Sequence, residues 1–327
     1  MVKAFDYLLD KLADAEFRND PFHHVWIDDL FTPEQFAAIT AAPEIDVSAP
    51  TDEEVLDALF GQGYQIIDFP GCVTDRQTYL RWRRQPQSLG GLKHSACEGF
   101  GMALRLTTPR SPILAELDEF LRGDRFQCVL ADKFGIDRSA TFNDSGIQKY
   151  LDGYEISPHP DVRHKAVTYM VNINPAEDSA ALQHHTQYLR FTPPYRYVQT
   201  YWEGHPEAER CWVPWDWCET VSEQRRNNSL VAFAPDNSTM HGVKARYDHL
   251  PAQRTQLYGN LWHNQTRELT KPEWEDLVVR EGTGGGLQKP KRSVLGRWTR
   301  SVMKAIGRGN DAADPRVIRN RLKAGKR

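Results

Sequence analysis

Two side chains able to share one metal ion stand two residues apart, His159 and Asp161, inside QKYLDGYEISPHPDVRHKAVTYMVNINP. In extended backbone, residues i and i+2 project to the same side, so this spacing delivers an imidazole and a carboxylate to one point. A third ligand has to come from another strand. His241, in PDNSTMHGVKA, follows 82 residues later in a strand-like run of its own. Two histidines and one carboxylate on one face of an ion leave three positions open, the arrangement that suits non-haem Fe(II) and oxygen. His184 and His185 are the competing pair. Being adjacent, they point apart in regular backbone, and they are read as a solvated loop pair rather than ligands.

Thirteen residues beyond His241, Arg254 opens the run RTQLYGNLW, which has the texture of a buried strand. A buried guanidinium requires an anionic partner, and its planar fork matches a carboxylate through two parallel hydrogen bonds. Arg254 is therefore the expected anchor for a carboxylate bound beside the metal, with Lys244 as the second choice.

Taken in order, Tyr150-x-x-Gly153, Pro158-His159-x-Asp161, a strand ending in Asn, Ser229-Leu-Val-Ala-Phe233, His241-x-Val243 and Arg254 resemble the 2-oxoglutarate- and Fe(II)-dependent dioxygenases. Within them the likeness is to the prolyl 4-hydroxylase-like group, over roughly residues 140–265. The resemblance implies a double-stranded β-helix (jelly-roll) core, Fe(II) on His159, Asp161 and His241, and 2-oxoglutarate held by Arg254. It also implies O2 as cosubstrate and C–H hydroxylation coupled to decarboxylation of 2-oxoglutarate to succinate and CO2. Tyr150 takes the position of a tyrosine that hydrogen-bonds the cosubstrate, and Asn172 that of a polar group facing the same carboxylate. One departure stands out. The Gly-Gly-Glu-Thr-like turn common in the family is replaced by DSAALQHHTQYLRF, where only Thr186 matches.

The elements that must position these groups are mainly β with flanking helices. Short runs rich in β-branched and aromatic residues predict strands at 147–151, 165–174, 187–191, 229–234, 240–245 and 255–262, a pattern of sandwich or barrel type. Before them, 4–17 carries Phe5, Leu8, Leu9 and Leu12 at helical spacing, and 112–122 and 124–135 read as two further helices. PFHHVWIDDLF is a short strand entering a turn, and Thr32-Pro33-Glu34-Gln35 starts a helix with Thr as cap and Pro in the first turn. Residues 45–110 read as irregular, and Arg81-Trp82-Arg83-Arg84 within them as a solvated basic face. The expected organisation is a supporting region over 1–139, a catalytic core over 140–282 closed by a helix capped at Thr270-x-x-Glu273, and a basic tail over 283–327. Within the core, 193–228 reads as one long insertion holding four of the nine tryptophans. Trp202, Trp212 and Trp215 are its candidate substrate contacts, suited to a sugar, a protein side chain or a small metabolite.

Composition sets the outer limits. At 327 residues with 40% hydrophobic and 26% charged, the chain has the make-up of a globular protein, and no run reaches the length of a membrane span. Five cysteines without CxxC spacing exclude a disulfide framework and a structural zinc site, which points to the cytoplasm. The net charge of −3 conceals a division: residues 283–327 hold 13 basic and two acidic groups, leaving 28 basic and 42 acidic on the rest. The acidic body would repel nucleic acid. The tail, with Leu295, Trp298, Val302 and Ile306 at helical spacing among Lys and Arg, suits an anionic membrane surface or a protein partner. Two other classes compete with the dioxygenase: a non-redox cupin-like metal protein, and a catalytically silent binding module using the aromatic insertion and the tail.

Overall fold

Among the described residues, strands dominate from residue 141 onward, and helices are confined to the N-terminal part and to one long connection. The computed structural model describes residues 4–68, 72–85 and 101–265, all within one unit. In chain order the elements are α1 (Tyr7–Asp14), β1 (Phe17–Arg18), β2 (His24–Ile27), α2 (Pro33–Thr40), α3 (Asp52–Gly61), β3 (Tyr64–Ile66), α4 (Arg76–Arg84), β4 (Ala103–Leu106), α5 (Pro112–Arg122) and α6 (Asp124–Lys133). Then follow β5 (Thr141–Tyr150), β6 (Glu155–His159), β7 (Lys165–Asn172), β8 (Thr186–Phe191), α7 (Tyr197–Gly204), β9 (Cys218–Glu223), β10 (Leu230–Phe233), β11 (His241–Lys244) and β12 (Arg254–His263).

The strands form two antiparallel sheets. The larger runs β1-β2-β10-β7-β12-β5-β4-β3 and the smaller β6-β11-β8-β9. From β5 to β12 the chain passes repeatedly between them, with β5, β7, β10 and β12 in one sheet and β6, β8, β9 and β11 in the other. That strand order is the double-stranded β-helix, or jelly roll.

Period-two alternation divides the large sheet between two environments. On β7, Val167, Tyr169 and Val171 join the core that also holds Leu8 and Leu12 of α1, Leu117 of α5 and Leu130 of α6. Their neighbours Thr168 and Met170 face the other way, where Thr168 meets Asp161 and Met170 lines a cavity. On β12, Leu257 and Leu261 pack toward the helices, while Arg254, Gln256, Tyr258, Asn260 and Trp262 line the cavity. The helices therefore support one face of the sheet and leave the other free for chemistry.

The N-terminal helices follow local rules. Thr32 caps α2 by accepting from the Gln35 N–H, with Pro33 in the first turn. Residues 45–110, expected to be irregular, instead contain α3, β3, α4 and β4. Thr51 caps α3 by accepting from the Glu54 N–H, and its hydroxyl donates to the Glu54 carboxylate at 3.0 Å. Arg83 of α4 is no solvated residue: it bridges Asp52 at 2.9 Å, Asp152 at 2.7 Å and Asp248 at 3.1 Å, tying α4 to the turn after β5. The interval 193–228 is not a single insertion, since it contains α7 and then β9, an outer strand of the small sheet. The closing helix after Thr270 and the basic tail lie outside the described residues. Among the described residues, no helix is long and apolar enough to cross a membrane.

Candidate metal and anion site

His159 ends β6 and His241 begins β11, and the two are direct partners in the small sheet. Their ring centres lie 4.3 Å apart. Each ring uses Nδ1 on a carbonyl two residues earlier, Ser157 at 2.8 Å and Thr239 at 2.9 Å. With Nδ1–H donating, both Nε2 lone pairs remain for a ligand and both rings are held in orientation. Asp161 completes the group. One carboxylate oxygen lies 3.6 Å from His159 Nε2 and the other 3.9 Å from His241 Nε2. Among the described residues this is one buried group whose ligand atoms all fall within 4.8 Å of one another.

Asp161 arrives there by a route that strand alternation does not describe. β6 stops at His159, and Asp161 has φ of +57°, a left-handed conformation that Asp tolerates better than most residues. The turn, not an extended strand, swings the carboxylate beside the imidazole. Two side chains then hold it: Lys165 Nζ donates to Oδ1 at 2.7 Å and the Thr168 hydroxyl to Oδ2 at 2.7 Å. Burial alone would raise the Asp161 pKa, but Lys165 and the two histidines keep the carboxyl well below its ordinary range. Lys165 is itself steadied by the Tyr258 hydroxyl at 2.7 Å and lies over the rings of Tyr258 and Trp262. The sequence reading missed Lys165. Spacing carried no signal for it, because Lys165 meets Asp161 across the turn between β6 and β7 rather than along a helix.

Arg254 lies in the same cavity, which has a volume of about 550 Å³. It is 2% exposed, and its guanidinium stacks 4.3 Å from the centre of the Tyr150 ring. Nη2 donates to the Thr186 hydroxyl at 2.9 Å, while Nη1 is buried without a partner. Burial lowers the Arg254 pKa, opposed by the neighbouring hydroxyls of Tyr150, Tyr154, Tyr247 and Tyr188. A buried cation with one donor unused is a site built for an anion.

The remaining candidates fall on both sides of the cavity wall. Tyr150 lines it, with its hydroxyl against the Gln148 amide. Asn172 does not: its amide donates to the Gln224 carbonyl at 2.6 Å and accepts from Gln256 at 2.8 Å, so it meets the cavity only through Gln256. Trp212 lines the cavity with its ring 6.3 Å from that of His159. Trp202 is wholly buried in a separate cluster with Phe191 and Val198. Trp215 lies under Lys244 and donates to Glu155 at 2.6 Å. Lys244 is thereby engaged away from the site. His184 and His185 are not solvated. Both are buried, with rings 4.6 Å apart, and neither belongs to the metal group.

Neither a family model nor a curated protein matches the chain. Among solved structures it is similar to a Pseudomonas putida prolyl-4-hydroxylase, at 10% identity over 79% of this chain and 99% of that one, with a TM-score of 0.42. It is also similar to a 2OG-Fe(II) oxygenase family oxidoreductase from Burkholderia pseudomallei, at 13% identity over 66% and 93%, with a TM-score of 0.26. A third is a prolyl hydroxylase from Trichoplax adhaerens in complex with a hypoxia inducible factor peptide, at 11% identity over 72% and 96%, with a TM-score of 0.31. What the site can do rests on its own geometry: a buried facial group of two imidazoles and a carboxylate, with one unpartnered guanidinium nitrogen, Arg254 Nη1, in the same cavity.

Proposed function

We propose that this chain is an Fe(II)- and 2-oxoglutarate-dependent dioxygenase that hydroxylates its substrate. The observation that carries the reading is the meeting in one buried cavity of His159, Asp161 and His241 with the unsatisfied Nη1 of Arg254. A cupin-like metal protein without redox chemistry, or a silent binding module, leaves that guanidinium without an occupant.

The residues present fit both groups. The two Nε2 atoms and the Asp161 carboxylate suit Fe(II), and Arg254 with the Thr186 hydroxyl suits the carboxylate of 2-oxoglutarate distant from the metal. Together iron and 2-oxoglutarate supply oxygen activation coupled to release of succinate and CO2. The chain's own residues bind, orient and exclude water. Lys165 and Thr168 fix the Asp161 oxygens. The Ser157 and Thr239 carbonyls fix the imidazoles. Tyr150 stacks on Arg254, and Ile156, Met170 and Val243 make the cavity wall apolar. No side chain is assigned as a general acid or base.

The test is binding and turnover in the full chain. Anaerobic protein with one equivalent of Fe(II) should take up 2-oxoglutarate with a visible charge-transfer absorption, and air should then yield succinate. His159→Ala and His241→Ala should remove both signals while the circular dichroism stays native. Stoichiometric iron binding in His241→Ala would sink the assignment.

A further inference from the structure

A second guanidinium in the cavity is not used by the chemistry above. Arg210 follows α7 in the connection to β9, is 5% exposed, and lines the cavity together with His159, Asp161 and Trp212. Its Nε is buried without a partner. Among the described residues its guanidinium has no hydrogen-bond or ion-pair partner. The adjacent carboxylate of Glu209 is held by backbone, accepting from the N–H of Arg163 at 3.0 Å and of Arg210 at 2.9 Å. The nearby Arg163 is engaged, donating Nε to the Ala208 carbonyl at 2.8 Å and Nη2 to the Trp202 carbonyl at 2.7 Å. One of these two cations is therefore structural and the other is available. Burial and Arg163 lower the Arg210 pKa only to about 10, so it is charged at neutral pH.

We propose that Arg210 binds a carboxylate group of the substrate and so sets which molecules reach the metal. The proposal rests on the dioxygenase reading for the word substrate. The site itself rests on Arg210 alone. It is separate from the Arg254 anchor, whose contacts are Thr186 and the Tyr150 ring. A single free fork matches one planar carboxylate, whereas a phosphate dianion favours more than one available cation. The aromatic faces of Trp212, Tyr258 and Trp262 in the same cavity suit a ring or chain attached to that carboxylate.

The experiment uses the full chain and matched probes: phenylacetate with phenylacetamide, indole-3-acetate with indole-3-acetamide, and phenyl phosphate. Dissociation constants are measured by ligand-observed NMR, with saturating 2-oxoglutarate present to occupy the Arg254 pocket, for wild type, Arg210→Gln, Arg210→Lys and Arg254→Gln. At least one acid should bind tenfold or more tightly than its amide. That preference should vanish in Arg210→Gln, survive in part in Arg210→Lys, and persist in Arg254→Gln. No acid preference in wild type overturns the proposal, as does a preference that survives Arg210→Gln or is lost only in Arg254→Gln. Tighter binding of phenyl phosphate than of either acid overturns the choice of a carboxylate. If Arg210→Gln does not fold, Arg210→Lys decides, since lysine lacks the fork: an undiminished preference there overturns the proposal. Acid discrimination through Arg210 in a protein that never turns over 2-oxoglutarate removes the dioxygenase reading and supports this site.

Discussion

At the scale of single residues, Arg254 and Asp161 are each defined by what surrounds them. Arg254 has one partnered and one partnerless Nη, so its ligand should contribute a charge-assisted pair in a dry setting. Removing one member of such a pair costs about 2–5 kcal/mol. Arg254→Gln should weaken 2-oxoglutarate binding by roughly that amount, at least thirtyfold, with little change in iron affinity; calorimetric titration of each ligand checks this. Asp161 makes the complementary case. Lys165→Met removes one of the two donors that orient the carboxylate. Loss of such outer partners costs about 10–100-fold in metal affinity. Competition with a chelator should show that loss in Lys165→Met, and unchanged affinity would mean that Thr168 alone suffices.

At the scale of elements, the site depends on turns as much as on strands. Tyr150-x-x-Gly153 leads from β5 to β6, and Gly153 has φ of +82° with the Trp82 ring pressed onto it. A Cβ there would lie 2.3 Å from Trp82 Cη2, so both conformation and space exclude a side chain. Gly153→Ala should destabilise the fold by about 1–3 kcal/mol or more, read from the urea midpoint. In a Trp82→Val background the added cost of Gly153→Ala should be smaller, because the clash is relieved while the backbone strain remains. Alternation made β7 and β12 legible in advance, since each presents polar residues to one face and apolar residues to the other. β6 was not legible: EISPH carries a proline and hardly alternates. β9, CETVSE, is polar because it is an outer strand with no fully buried residue. α3 carried its signal in Thr51-x-x-Glu54, obscured by the Gly- and Pro-rich stretch around it.

At the scale of the whole molecule, buried neutral imidazoles tie stability to pH. Burial first, and Arg254 beside them, lower the pKa of His184 to about 2 and of His185 to about 4, against 6.5 when unfolded. Between pH 6.5 and 4 the unfolded chain binds protons at these positions and the folded chain does not. Stability is therefore fully present above about pH 6.5 and is lost as pH falls, by at most about 1.4 kcal/mol per pH unit for each group. Urea titrations at pH 7.5, 6 and 5 should show the decline, and His185→Gln should make it shallower. An identical pH slope in the variant would remove His185 from the account. Both histidines lie near the Arg254 guanidinium, which adds to the effect of burial in holding them neutral.

The sequence by itself determined the candidate ligand types, their order and the strand character of the second half, because metal chemistry restricts residue type and period-two alternation marks a sheet with two different faces. It also marked Arg254, since a guanidinium within a buried strand calls for an anion. The tertiary structure alone decided which groups share one space. Asp161 reaches the imidazoles through a left-handed turn, Lys165 and Arg210 enter the cavity, and Trp202 and Asn172 are drawn into packing and bracing elsewhere. Local pattern reports which way a side chain faces along its own element; what it meets there depends on sheet pairing between residues far apart in sequence, such as Arg254 with Tyr150 and Leu230 with Ile27.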